Sequence, residues 1–216
     1  MKELKEPEHR ERADDTKETG RIEAFSDGVF AVAITLLVLN IQQPPHEDFS
    51  QSGKLLGFLG SQWPIYLAFV TSFATIGIMW INHHRLYTHI KRSDNTLLLL
   101  NLLLLLVIVF VPFPTALMAE YINQPDQRVA TVLYSGTFLL MAICFNLVWQ
   151  YASQKNRLLD SNANTHEVNA ITGQYRLGPL FYIVTFVLAF FLPIASIVLE
   201  LLLAIYFAIP GRKQPE

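Results

Sequence analysis

The chain has 216 residues, of which 52% are hydrophobic and 16% charged, and its net charge is −2. That balance is too apolar for an average soluble domain, and the length is too short for two large ones, so a single membrane domain is expected. It also lacks the basic surface that releases phosphate counterions, which argues against nucleic acid as a partner. One cysteine, Cys144, lies in an apolar run; it supports neither a disulfide framework nor a thiolate metal site and reads as a small apolar side chain.

The first twenty residues mix five basic with seven acidic side chains and hold no apolar stretch. They read as a solvated, disordered tail. A secretory signal needs an apolar core directly after a basic start, and none is present, so the first hydrophobic helix is expected to stay in the mature chain. The expected division is a charged tail over 1–22, a membrane domain over 23–210 and a second tail over 211–216.

Six segments are long enough to cross a hydrocarbon core of about 30 Å at a rise of about 1.5 Å per residue. The first, 24–43, carries Asp27 near its start and ends before Pro44-Pro45, which cannot continue a helix. The second, 63–81, is uncharged. The third, 96–119, is the most leucine-rich, and Pro112 and Pro114 should bend it where neighbouring groups satisfy the freed carbonyls. The fourth, 129–152, is again uncharged, and 153–176 reads as a polar linker. The final apolar stretch, 177–210, has 34 residues. As one helix it would measure about 51 Å, so it divides at Pro193 into two short helices. Fourteen of the sixteen Lys and Arg residues then fall on one side, against Lys54 and Arg128 on the other. Basic loops stay cytoplasmic, so both termini are expected there and the number of crossings is even.

The first span differs from the rest in carrying polar groups at its entrance. At helical spacing Gly28, Val32, Thr35, Leu36 and Leu39 share one narrow face, with Asp27, Ala31, Ile34 and Val38 beside them. Packing through small residues in a bundle is the plainer reading of such a stripe. Asp27 is costly inside a membrane unless it has a partner or water. Candidate partners are Trp80, His83, His84 and Asn101, which lie on the same side as Arg21, Ser26 and Asp27 and would lock three helices together; the competing reading is a set of interfacial anchors. His83, His84 and His89 are spaced so that a helix points them apart, and no metal site is expected. Ser26, Asp27 and His83 lack a nucleophile elbow or oxyanion donors, so no catalytic residue is assigned. Glu200, in the last span, reads as a proton site, a subunit contact or a shallow interfacial group.

The run Arg21-x-x-x-Phe25-Ser26-Asp27, continuing Gly-Val-Phe-Ala-Val-Ala-Ile-Thr-Leu-Leu-Val-Leu, is similar to the signature of the transmembrane protein 175 family of potassium channels. The likeness extends through Trp80 to His84 and the six-span layout. The chain resembles the prokaryotic members with one repeat, which assemble as tetramers. The resemblance implies an all-α polytopic membrane protein with six transmembrane helices per subunit, forming a potassium-permeable, potassium-selective leak channel in the cell membrane. Its axial pore would be lined by the first helix of each of four identical subunits. The Thr-Val-Gly-Tyr-Gly filter is absent from the sequence. Carried over by the resemblance, the pore constriction falls on Val32, Thr35, Leu36 and Leu39. Arg21, Ser26, Asp27, Trp80, His83 and Asn101 would form a structural network. Valine at position 32, where the family often has isoleucine or leucine, implies a slightly wider ring and weaker selectivity. No cofactor is expected beyond the permeant potassium ion, and the partners are further copies of the chain and the lipid bilayer. A proton-coupled secondary transporter is the alternative, and it would need a titratable relay and repeats with broken helices.

Overall fold

The structure, a computed structural model, describes residues 6–43, 54–160 and 163–208. Its helices are α1 (Glu6–Leu36), α2 (Lys54–Ser61), α3 (Trp63–His89), α4 (Asn95–Phe110), α5 (Pro112–Tyr121), α6 (Gln127–Ser153), α7 (Thr165–Ala189) and α8 (Pro193–Ala208). Pro44-Pro45, residues 1–5 of the expected N-terminal tail and all of the C-terminal tail lie outside the described residues. Among the described residues four helical stretches are long and apolar enough to cross a membrane: Thr19–Asn40, Trp63–His89, Asn95–Tyr121 and Gln127–Asn156. The α7–α8 hairpin follows them, with a shorter apolar helix at Pro193–Tyr206.

Helix α1 begins at Glu6, so residues 6–20 are helical rather than the disordered tail their composition suggests. Glu, Lys, Arg and Ala are strong helix formers, and opposite charges recur four apart at Glu6 and Arg10 and at Glu8 and Arg12. Continuity with the span carries the helix across residue 22 without a break. At its other end the chain tightens into a 3₁₀ turn over Leu37–Asn40. There Asn40 donates through Nδ2 to the Pro112 carbonyl at 3.1 Å, bracing the end of α1 against the bend in the third span.

That bend lies where the prolines put it. Pro112 has no N–H for the Ile108 carbonyl, so α4 stops at Phe110 and the Val111 N–H turns to Ile108 at 3.2 Å. Thr115 then caps the Val111 carbonyl twice, from its N–H at 3.1 Å and its hydroxyl at 2.8 Å. Asp94 starts α4 as its N-cap, accepting from the Leu97 N–H at 2.9 Å.

Helix α3 runs eight residues past the expected end at 81, which places His83 and Tyr87 inside the bundle. Helix α6 is the most enclosed of the four spans and supplies Tyr134, Phe138, Met141, Phe145 and Trp149 to the core. The expected linker 153–176 is only partly one: a 3₁₀ turn covers Gln154–Asn156, but α7 begins at Thr165, capped by Asn164. Pro179 lies within α7 and denies the Tyr175 carbonyl its helical donor; Asn146 of α6 supplies the replacement through Nδ2 at 2.7 Å. Residues 190–192 separate α7 from α8, and α8 opens at Pro193, the division that span length requires.

Candidate pore helix and the polar cluster behind it

Helix α1 has two opposed faces. Ile22, Ser26, Phe30, Ala33 and Leu37 recur at intervals of four, four, three and four, and all are buried against the rest of the subunit. The opposite face carries the stripe read from the sequence. Gly28 and Thr35 are exposed, and Val32, Leu36 and Leu39 are 54%, 38% and 74% exposed. Ile34 is half-buried and Val38 exposed on the flank. The stripe is therefore the face of α1 that its own subunit leaves uncovered.

Thr35 is the polar member of that stripe. Its Oγ1 lies 2.9 Å from the Val32 carbonyl and 3.0 Å from that of Ala31. A hydroxyl has one proton, and here the helix's own carbonyls take it. What the side chain presents outward is oxygen lone pairs on an otherwise apolar surface.

Behind α1, two polar links tie the helix to its neighbours. Trp80 of α3 donates through Nε1 to Asp27 Oδ1 at 2.8 Å, near the bundle surface. Deeper, the Ser26 hydroxyl donates back to the Ile22 carbonyl at 2.8 Å and accepts from Asn101 Nδ2 at 3.1 Å. Asn101 Oδ1 is 3.0 Å from His83 Nε2. Because that oxygen can only accept, Nε2 carries the imidazole proton, and Nδ1 is left without a hydrogen-bond partner among the described residues. Phe30, Tyr87 and Phe145 surround the ring, at centroid distances of 5.4, 4.6 and 6.3 Å. One amide thus links α1, α4 and α3 in a buried site made of Ser26, His83 and Asn101.

Arg21 is not brought into this cluster. It is exposed, makes no hydrogen bond or ion pair among the described residues, and borders an open recess with Phe25, Asp94, Leu98 and Leu102. His83 and His84 diverge as their adjacency requires: His84 faces outward and meets Glu23 Oε1 at 2.5 Å. Glu23 was open to discovery from sequence, since it lies four residues before Asp27 on the same side of α1. A further cluster at the start of α4 carried only its cap signal. Tyr151 donates to Asp94 Oδ2 at 2.7 Å, and Arg157 reaches the same oxygen at 3.4 Å while lying over the Tyr151 ring. Partial burial opposes the charge on Asp94; the bonds from Tyr151 and the Leu97 N–H, with the Arg157 guanidinium, outweigh it and hold the carboxyl below the usual range.

These features define a polytopic α-helical membrane protein in which α1, like the other spans, leaves an apolar face uncovered by its own subunit. Residues 21–112 match the family described as endosomal/lysosomal potassium channel TMEM175. The chain is 53% identical over 197 residues to a potassium channel of Chamaesiphon minutus, covering 91% of this chain and 97% of that protein. It is 42% identical over 191 residues to a potassium channel of Streptomyces collinus, covering 88% and 91%. Its fold matches the crystal structure of a lysosomal potassium-selective channel TMEM175 homolog from Chamaesiphon minutus, with a TM-score of 0.80 and 52% identity over 89% of this chain and 97% of that one. The chain belongs to the TMEM175 family, whose members are ion channels rather than enzymes.

Proposed function

We propose that the protein is a potassium-permeable, potassium-selective leak channel of the cell membrane, built as a homotetramer whose axial pore is lined by α1 of each subunit. The observation that carries this reading is the pair of opposed faces on α1: a buried face from Ile22 to Leu37, and an uncovered apolar face holding Val32, Thr35, Leu36 and Leu39. An apolar stripe on one helix becomes a set of rings only around a symmetry axis, and a single subunit cannot enclose a conduit with one helix. The relatives named potassium channels, and the potassium-selective homolog of matching fold, point to the same ion.

Each subunit crosses the membrane six times in this proposal, with both termini cytoplasmic, as the placing of fourteen basic residues on one side requires. The fifth and sixth crossings are α7 and α8. At about 1.5 Å per residue the described part of α8 measures about 24 Å, close to the lower limit for a crossing.

Selectivity in such a pore rests on dehydration. Apolar rings offer an ion no ligands, so it passes with its water shell stripped or deformed, and sodium holds that shell more tightly than potassium. The Thr35 lone pairs return part of the lost coordination. The test is purified protein in planar bilayers under a potassium/sodium gradient. Val32→Asn or Leu39→Asn should raise conductance and shift the reversal potential toward sodium, and Thr35→Val should lower conductance. Ile34 and Val38 serve as flanking controls whose replacement leaves the permeation ratio nearly unchanged. Equal effects from stripe and flank would remove α1 as the pore helix. Potassium flux that follows an imposed proton gradient would instead indicate a proton-coupled secondary transporter.

A further inference from the structure

Glu200 is a carboxyl group in the middle of α8, 1% exposed, and neither of its oxygens accepts a hydrogen bond from a described residue. It is the sole charged side chain of α8, which packs on α3, α6 and α7. The titratable groups that face it are Tyr134 from α6 and Tyr182 from α7; from α3, Ser72 enters the same level through its bond to Tyr134. No Lys, Arg or His is among these neighbours. The subunit itself encloses Glu200, so this carboxyl is not a subunit contact.

The hydroxyls around it have no protons left to offer. Ser196 donates to the Thr185 carbonyl at 2.8 Å, so in the 3.0 Å contact between Ser135 and Ser196 the donor is Ser135. Thr185 spends its own proton on the Tyr182 carbonyl at 2.9 Å. On the other side Thr115 donates to the Val111 carbonyl, so Ser72 donates to Thr115 at 2.8 Å and Tyr134 to Ser72 at 3.0 Å. Ser135 and Thr185 lie beside Glu200, but neither meets hydrogen-bond geometry to its carboxyl, and with their protons directed elsewhere their oxygens are left as acceptors. An ionised carboxylate in this position would meet lone pairs and no counter-charge, which is among the most costly arrangements a buried group can take. A protonated carboxyl has one O–H, and its neighbours Ser135 on α6 and Thr185 on α7 offer it oxygen lone pairs rather than protons.

We propose that Glu200 is a proton-binding site inside each subunit, separate from α1, which holds α8 to α6 and α7 as a neutral acid and makes the packing of the α7–α8 hairpin sensitive to pH. The full-length protein, with carbon-13-labelled glutamate, is examined by infrared spectroscopy in lipid. At neutral pH it should show the carbonyl stretch of a protonated glutamic acid, absent from Glu200→Gln and unchanged when potassium and sodium are replaced by a large organic cation. Folding then takes up a proton, so the stability of wild type relative to Glu200→Gln should fall as pH rises, by about tenfold in the folding equilibrium per pH unit above the ordinary carboxylate range. Three results would overturn the assignment: only ionised glutamate at neutral pH, an acid band that appears only after alkali cations are removed, or parallel stability profiles. The first two require wild-type protein alone, so a variant that does not fold leaves the proposal testable.

Discussion

Replacing Asn101 with leucine isolates the link that joins three helices. The change keeps the branched shape and the number of side-chain heavy atoms while removing both bonds of the amide, the one to Ser26 at 3.1 Å and the one to His83 at 3.0 Å. In membrane bundles a side-chain hydrogen bond between helices contributes about 0.6 kcal/mol, because the unfolded chain in lipid also finds partners. Two bonds give about 1.2 kcal/mol. To this is added the cost of the groups left behind. His83 is 0% exposed and already has an unpartnered Nδ1, so losing the Nε2 acceptor leaves both ring nitrogens without protein partners. An orphaned buried polar group costs about 1–3 kcal/mol in water-soluble proteins, and its lower end is apt here. The expected loss is about 2 kcal/mol for Asn101→Leu. Ser26→Ala should cost about 0.6 kcal/mol, since only one of its bonds reaches another helix. The double variant should cost less than the sum, because both changes break the same bond. Thermal unfolding in detergent, followed by circular dichroism and size-exclusion chromatography, reads all three. Leu102→Ala, at an exposed position one residue on, is the surface control. A stable Asn101→Leu protein, or strictly additive losses, would refute the bridging role.

Asp27→Asn retains an acceptor for Trp80 but not its charge, so native mass spectrometry should show weakened assembly before any change in ion selectivity. Trp80→Phe should reproduce the defect, at under about 1.5 kcal/mol because both partners are partly exposed. Asn146→Leu should destabilise the hairpin by about 1–3 kcal/mol by orphaning the Tyr175 carbonyl, and Pro179→Ala added to it should recover much of the loss by restoring a backbone donor, as read by thermal unfolding. Asp94 contributes stability that is present above its ordinary value of 3.8 and lost as pH falls through its lowered value in the folded protein. Tyr151→Phe removes one of the bonds that lower it and should move the acid loss to higher pH in a melt series.

The features open to sequence reading are those that depend on neighbours along the chain. Pro112 and Pro193 end or begin helices by their missing N–H alone, and Asp94 before an apolar run is a cap by local geometry. The stripe of Gly28, Val32, Thr35, Leu36 and Leu39 follows from 3.6 residues per turn, whatever surrounds it. Composition misleads where continuity or packing overrides it. Residues 6–20 and the first turns of α7 are polar, yet the apolar segment that each adjoins extends the helix into them.

Which polar groups meet is a different matter. Arg21, Ser26 and Asp27 lie close together along the chain, but the rotation of α1 about its axis buries Ser26, leaves Asp27 at the rim and turns Arg21 away. Asn101 reaches Ser26 across 75 positions, and Asn146 finds the one carbonyl that Pro179 set free. The inward aim of Glu200, and the direction in which the surrounding hydroxyls spend their protons, likewise depend on how α8 lies against α6 and α7. The sequence by itself determined that the chain is a helical membrane protein, where its spans bend or divide and which face of α1 is apolar, because hydropathy and helical period are local properties. The tertiary structure decided which side chains are partners and which stand alone, because helix rotation and crossing are settled only when all the helices pack at once.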